Sequence, residues 1–271
     1  MTRLRSAEVI DRARTQGRAA LIAYLPVGFP TLDRSIDAVR VLVDSGVDAI
    51  EFGVPYTDPV MDGPVIQEAA DIALRGGTRP RDVITAIDQL STGGIDAALL
   101  VMSYYNPILS YGPDAFARDL AAAGGAGVIT PDLIPDEGAE WIAAASEHEV
   151  DRVFLVAPSS HSQRLQHVVE KTTGFVYAAS TMGVTGMRSS VSARAEDLVE
   201  RTRRAGAERV CVGLGVSTGE QAAAIGDYAD GVIVGSAFVR AILDADSAEQ
   251  ANQRLAALAQ ELRAGVDSAR R

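Results

Sequence analysis

Two carboxylates have neighbours that suggest chemistry: Glu51 in Asp48-Ala-Ile-Glu-Phe-Gly-Val54, and Asp62 in Met61-Asp-Gly-Pro64. Period two along the first run puts Ile50, Phe52 and Val54 on one face and Ala49, Glu51 and Gly53 on the other. If this is a barrel strand, the large apolar residues face the surrounding helices and Glu51 points inward between two small residues. A carboxyl there loses hydration, its neutral form is favoured, and it exchanges protons near neutrality as a general acid/base does. The competing role is a structural salt bridge, for which the strand runs offer only Arg152 and Arg209, both at strand starts. Asp62 stands far enough along the loop to fold back and present a second carboxylate of different environment. Asp58, in Thr57-Asp58-Pro59, reads as a turn residue.

A second constellation lies near the end of the chain. Gly213-Leu-Gly-Val-Ser217 follows one apolar run, and Gly235-Ser236 ends another, where a short helical stretch, AFVRAIL, begins. Glycine amides and a short helix N-terminus after the last strand of a barrel form an anion pocket, which implies a phosphorylated substrate.

Other mechanisms lack residues. The one lysine, Lys171, precedes a strand and is expected near the opposite mouth, which disfavours Schiff-base chemistry. His148, His161 and His167 fall in or near connecting helices, so neither a metal set nor a Ser-His-Asp triad converges. Cys211, in Arg-Val-Cys-Val-Gly, reads as a small buried hydrophobe. Metal-free, non-covalent proton transfer on a phosphorylated compound remains.

These residues need a scaffold, and the chain supplies an alternating one. Eight short apolar runs are the strand candidates: 20–27, 48–54, 97–105, 127–133, 152–158, 175–180, 209–215 and 231–237. Amphipathic segments such as LDRSIDAVRVLVDSG and RAEDLVERTRRAG separate them, with apolar residues three or four apart. Eight parallel strands with helical crossovers predict an α/β fold, a (β/α)₈ TIM barrel, as a single domain over 1–271. An extra N-terminal helix over 3–17 is expected to cover the N-terminal mouth; a short extra helix after strand eight (237–243) and a closing helix (247–264) complete the chain. PYTDPVMDGP, after the second strand, is too rich in Pro, Asp and Gly for a helix, and MGVTGMRSSVSA, after the sixth, is a long connection expected to act as a lid.

Composition fits this outline. The chain has 271 residues, 47% of them hydrophobic, and mean hydropathy +0.10, enough for a sizeable core. A formal charge of −11 repels nucleic acid and anionic lipid, so neither is an expected partner. The N-terminus is charged throughout and there is no long apolar run, so a cytoplasmic location is expected.

Glu51-Phe-Gly-Val-Pro-Tyr-Thr-Asp-Pro-Val-Met-Asp-Gly-Pro-Val-Ile-Gln67 closely resembles the signature of the tryptophan synthase α subunit family. Ala23-Tyr-Leu-Pro-Val-Gly-Phe-Pro30, Tyr104-Tyr-Asn-Pro107, Asp132-Leu-Ile-Pro135, Gly183-Val-Thr-Gly186, Gly213-Leu-Gly-Val216 and Val234-Gly-Ser236 follow in that family's order, over roughly residues 20–243. The resemblance implies retro-aldol cleavage of indole-3-glycerol phosphate to indole and glyceraldehyde 3-phosphate, with no cofactor on this chain. It casts Glu51 as the group that protonates the indole ring and takes part in removing the glycerol hydroxyl proton, Asp62 as the partner of the indole N–H, and Tyr177 as an assisting tyrosine. Tyr24, Ile66, Met102, Ile129 and Leu155 would enclose the indole, although by spacing each is equally an ordinary core residue. Amides of Gly186, Gly215, Gly235 and Ser236 would hold the phosphate, and Thr185 would order the lid by bonding Asp62. The implied partner is a β subunit carrying pyridoxal phosphate, in an α₂β₂ heterotetramer, contacted through PYTDPVMDGP and the segment 106–112. Two departures bear on the lid and the pocket: Thr181 stands where some relatives have arginine, and Leu214 where an aromatic residue is frequent. From the residues alone, a phosphosugar isomerase or epimerase working with two carboxylates is nearly level with the lyase, and a non-catalytic phosphate-binding barrel is a third reading.

Overall fold

The computed structural model describes residues 4–179, 188–213 and 215–269; in 188–192 it describes the backbone only. Helix α1 (Ser6–Thr15) starts where the Glu8 carboxylate accepts the Arg5 amide at 3.0 Å, an N-terminal cap. Nine parallel strand segments follow: β1 (Ala20–Pro26), β2 (Ala49–Gly53), β3 (Ala98–Met102), β4 (Gly127–Ile129), β5 (Asp151–Val153), β6 (Leu155–Val156), β7 (Val176–Ala179), β8 (Val210–Gly213) and β9 (Gly231–Val234). Outside them lie α2 (Leu32–Asp44), α3 (Pro64–Arg75), α4 (Pro80–Thr92), α5 (Tyr105–Tyr111), α6 (Pro113–Ala122), α7 (Ala139–Glu147), α8 (Ser162–Lys171), α9 (Arg188–Arg204), α10 (Gly219–Gly226), α11 (Ser236–Leu243) and α12 (Ala248–Asp267). Proline at the first helical position opens α3, α4 and α6, where its missing N–H costs nothing.

The sheet order β5-β4-β3-β2-β1-β9-β8-β7-β6 closes on itself, because β5 and β6 are two halves of one run separated only by Phe154. The Val153 carbonyl accepts the Thr130 amide on the β4 side at 3.3 Å, and the Phe154 carbonyl accepts the Tyr177 amide on the β7 side at 3.2 Å. Eight strand positions therefore form a closed TIM barrel. The single fifth strand expected over 152–158 is corrected to two short segments.

Further boundaries differ from expectation, among them the last strand, which stops at Val234 rather than 237 because α11 opens at Ser236. The third strand stops at Met102 rather than running to 105: Tyr105 opens α5, whose N-terminus is capped from outside, the Asp132 carboxylate accepting the Tyr105 amide at 2.9 Å. The fourth ends at Ile129, ahead of Pro131. The region read as loop through residue 193 is helical from Arg188, because buried Ala195, Leu198 and Val199 anchor α9 against the sheet.

Two cores follow from strand alternation. Ile50, Phe52 and Val54 pack outward with the helices, while Ala49, Ala98, Leu100 and Ile233 fill the barrel together with Val9, Ile10 and Ala13 of α1. Helix α1 is the floor, as expected. The buried acids described at this end are paired: Asp48 with Arg18 through two bonds of 2.7 and 2.8 Å, Asp151 with Arg5 at 2.7 Å and Ser6 at 2.6 Å, Asp230 with Arg203 at 2.9 Å. The N-terminal face carries stability, which leaves the other mouth for chemistry.

Candidate active site

Glu51 is the buried acid that breaks this pattern. It sits in the middle of β2, level with Tyr24 of β1 and Leu100 of β3, with no exposed surface. Neither carboxyl oxygen has a hydrogen-bond partner among the described residues. Burial alone pushes its pKa from 4.5 to about 8, since water is withdrawn and no cation replaces it. The salt-bridge reading fails on the named arginines: Arg152 binds the Lys171 carbonyl and Ser146, and Arg209 binds Asp11 and Glu208.

The loop after β2 does fold back. Gln67 of α3 donates to the Asp62 carbonyl at 2.7 Å, and the Met61 amide donates to the Tyr104 hydroxyl at 2.9 Å. This leaves the Asp62 carboxyl half-buried; burial raises its pKa, and a hydrogen bond from Tyr104 partly offsets the rise. The Tyr24 phenol has its pKa raised well above the ordinary value, by burial first and then by the charges of Asp62, Tyr104 and Glu51. Asp58 is exposed and accepts from the Thr57 hydroxyl, as a turn residue does.

Tyr177 of β7 projects over Gly213, where any Cβ would overlap its hydroxyl. Its pKa lies well above the ordinary value through burial first and the Glu51 charge second, so it is a neutral donor near that carboxyl. Met102 and Ile129, which end β3 and β4, and Leu155, which opens β6, pack on the inner cluster. Ile66, in the first turn of α3, packs instead with the outer cluster, as Tyr24 also does.

Beside the Tyr24 ring, Gly235 precedes α11, and no side chain caps that helix, whose first amides have no intrahelical acceptor. Ser236 is its first residue, and Gly215 takes φ +64°, a left-handed conformation suited to glycine. Thr185 and Gly186, with Thr181 and Leu214, lie outside the described residues. Lys171 ends α8 exposed, and among the described residues no three His, Cys, Asp or Glu side chains gather as cation ligands. A cavity of about 300 Å³ between α2 and the start of α12 shares no lining residue with this site.

Sequence reading missed the Tyr104 hydroxyl. Its motif, Tyr104-Tyr-Asn-Pro107, stood out, but nothing local says that the phenol reaches back to the β2–α3 loop.

Fold and site define a (β/α)₈-barrel enzyme whose candidate site offers one buried and one half-buried carboxyl, Glu51 and Asp62, with the phenols of Tyr24 and Tyr177. The family model described as tryptophan synthase alpha chain matches residues 10–267. The tryptophan synthase alpha chain of Mycobacterium intracellulare is 56% identical over 262 residues, covering 97% of this chain and 94% of the relative. That of Thermobifida fusca is 54% identical over 265 residues, with 97% of each covered. Among solved structures, ligand-free tryptophan synthase from M. tuberculosis superposes with TM-score 0.88 at 52% identity, covering 97% of this chain and 99% of that one. The alpha subunit from Legionella pneumophila gives 0.89 at 28% identity, covering 98% and 99%. The chain belongs to the tryptophan synthase alpha chain family, carbon–carbon lyases that cleave indole-3-glycerol phosphate and function with a beta subunit in tryptophan biosynthesis.

Proposed function

We propose that Glu51 carries the proton traffic of indole-3-glycerol phosphate cleavage. The carrying observation is its buried, unpaired carboxyl, which is protonated at neutral pH. The protonated acid gives its proton to C3 of the indole ring. As the C3–C bond to the glycerol carbon breaks, the bonding pair returns to the ring, and the adjacent hydroxyl passes its proton to the Glu51 carboxylate while its oxygen becomes the aldehyde of glyceraldehyde 3-phosphate. The acid ends as it began, and indole leaves. Asp62 accepts the indole N–H and stabilises the positive charge of the protonated ring; Tyr177 donates near Glu51.

The phosphate sits at the N-terminus of α11, on amides of Gly235 and Ser236 with Gly215 and, from the lid, Gly186. Tyr24, Ile66, Met102, Ile129 and Leu155 form the indole wall, and Thr185 closes the lid onto Asp62. The chain acts as one domain over 1–271 in the cytoplasm, within an α₂β₂ assembly whose β subunit brings pyridoxal phosphate and consumes indole. Val60, Met61 and Leu109, exposed by 76%, 48% and 50%, supply an apolar contact for that subunit. The test is indole release from indole-3-glycerol phosphate, with and without added β subunit. Release is expected in both, faster with the partner; substrate binding without release in either overturns the reading.

A further inference from the structure

Helices α2, α11 and α12 enclose a cavity of about 300 Å³ on the outside of the barrel, away from the carboxyls and phenols of the mouth. Its floor is apolar: Ala38 of α2, Ile242 of α11, and Ala251 and Leu255 of α12 all line it and all are buried. Arg34 and Ala38 stand one turn apart on α2, as Ala251 and Leu255 do on α12, so each helix turns one continuous face to the space. An alanine on each of those faces leaves it open. Packed interiors close such voids, and one left empty costs stability in proportion to its volume. The size stands at the lower end of small-molecule sites and suits a ligand no larger than an amino acid.

Polarity is sorted by depth. The floor is buried, whereas the two charged residues of the lining, Arg34 and Asp246, are half-buried and exposed. Arg34 spans the gap to α12: its Nη2 donates to the Ala248 carbonyl at 3.0 Å and to Asn252 Oδ1 at 3.3 Å, and its Nη1 stands 3.5 Å from the Asp37 carboxylate. These contacts fix the guanidinium over the cavity, and among the described residues its Nε has no acceptor. Asp246 lies in the turn between α11 and α12, held there because its amide donates to Gln250 Oε1 at 2.6 Å. Its carboxylate makes no hydrogen bond or ion pair among the described residues, with Arg34 or with any other group.

A cation and an anion that share one rim without neutralising each other, above an apolar floor, complement a zwitterion with an apolar tail. Its carboxylate would take the Arg34 guanidinium, its ammonium Asp246, and its tail the Ile242 and Leu255 side chains. An apolar acid answers only Arg34 and leaves the Asp246 carboxylate covered without a partner, which costs affinity.

We infer that the cavity between α2, α11 and α12 binds a free α-amino acid with an apolar side chain, at a site separate from that of indole-3-glycerol phosphate cleavage.

Calorimetric titration of the whole chain with L-leucine and L-tryptophan tests the inference. Tryptophan carries an indole that the reaction site also admits; leucine does not. Saturable leucine binding is expected, and in Glu51→Gln it should persist unchanged under saturating indole-3-glycerol phosphate. Asp246→Asn, a change at an exposed turn, is expected to weaken leucine at least about 10-fold and to leave isocaproate, leucine without its ammonium, unaffected. Ala251→Leu, which fills the space and keeps every charge, is expected to abolish leucine binding; a thermal melt confirms that the variant is folded. Absence of heat with both amino acids overturns the inference, as does equal affinity of the wild type for leucine and isocaproate, or displacement of leucine by indole-3-glycerol phosphate. Each outcome is read from binding, so none depends on whether the chain releases indole.

Discussion

The Tyr24 phenol lies across Gly53, the inward-facing residue next above Glu51 on the neighbouring strand. A Cβ at Gly53 would overlap the Tyr24 hydroxyl, and on the far side a Cβ at Gly235 would meet the ring at 3.3 Å. The ring occupies a slot made by two absent side chains, one beside the acid and one at the α11 terminus. Gly53→Ala is therefore expected to push the phenol into the mouth. Indole release should fall about 10- to 100-fold, with a stability loss of about 1–3 kcal/mol from overpacking, read from a urea midpoint. Full activity in this variant would mean that the slot does not shape the site.

Glu51→Gln separates catalysis from stability. The amide cannot exchange the proton, so indole release should drop more than about 100-fold. In the folded chain the Glu51 carboxyl keeps its proton up to about pH 8, whereas unfolded it titrates near 4.5. The unfolded state thus releases a proton that the folded state holds, and stability falls as pH rises between those values, by up to about 5 kcal/mol on the order of a full shift. Wild type should lose stability from pH 4.5 to 8 relative to Glu51→Gln, and wild-type activity should fall above about pH 8 as the acid ionises. Parallel stability curves for the two proteins would contradict the assignment.

Ser236→Asp sets two effects of one charge against each other. A carboxylate at the first position of α11 interacts favourably with the helix dipole, by about 0.3–1 kcal/mol. It also repels a phosphate bound to the same amides. KM for indole-3-glycerol phosphate should rise at least about 10-fold while the thermal midpoint holds or increases; an unchanged KM would place the phosphate elsewhere.

Leu109→Glu tests the docking surface. A charge on this half-exposed position of α5 has little effect on folding. Burying it against an apolar partner leaves it desolvated and unpaired, so association with the β subunit, followed by calorimetry, should weaken at least about 10-fold. Unchanged affinity would move the interface off α5.

What the sequence determined on its own is what local periodicity writes down. Alternation in Asp48–Val54 aimed Glu51 inward, the Pro-, Asp- and Gly-rich stretch before Pro64 could only be a loop, and Gly235-Ser236 announced a helix start beside a strand end; each follows from residues within a few positions of one another. The tertiary structure decided what depends on residues far apart. Asp132 caps α5 and so ends the third strand early, the run through Phe154 serves a different neighbour on each side, and Tyr104 reaches back to Met61. The charge state of Glu51 belongs to this second kind. Desolvation is the sum of what surrounding strands and loops place around a carboxyl, and Arg152 and Arg209 are spent on partners elsewhere, an outcome that only the assembled barrel fixes.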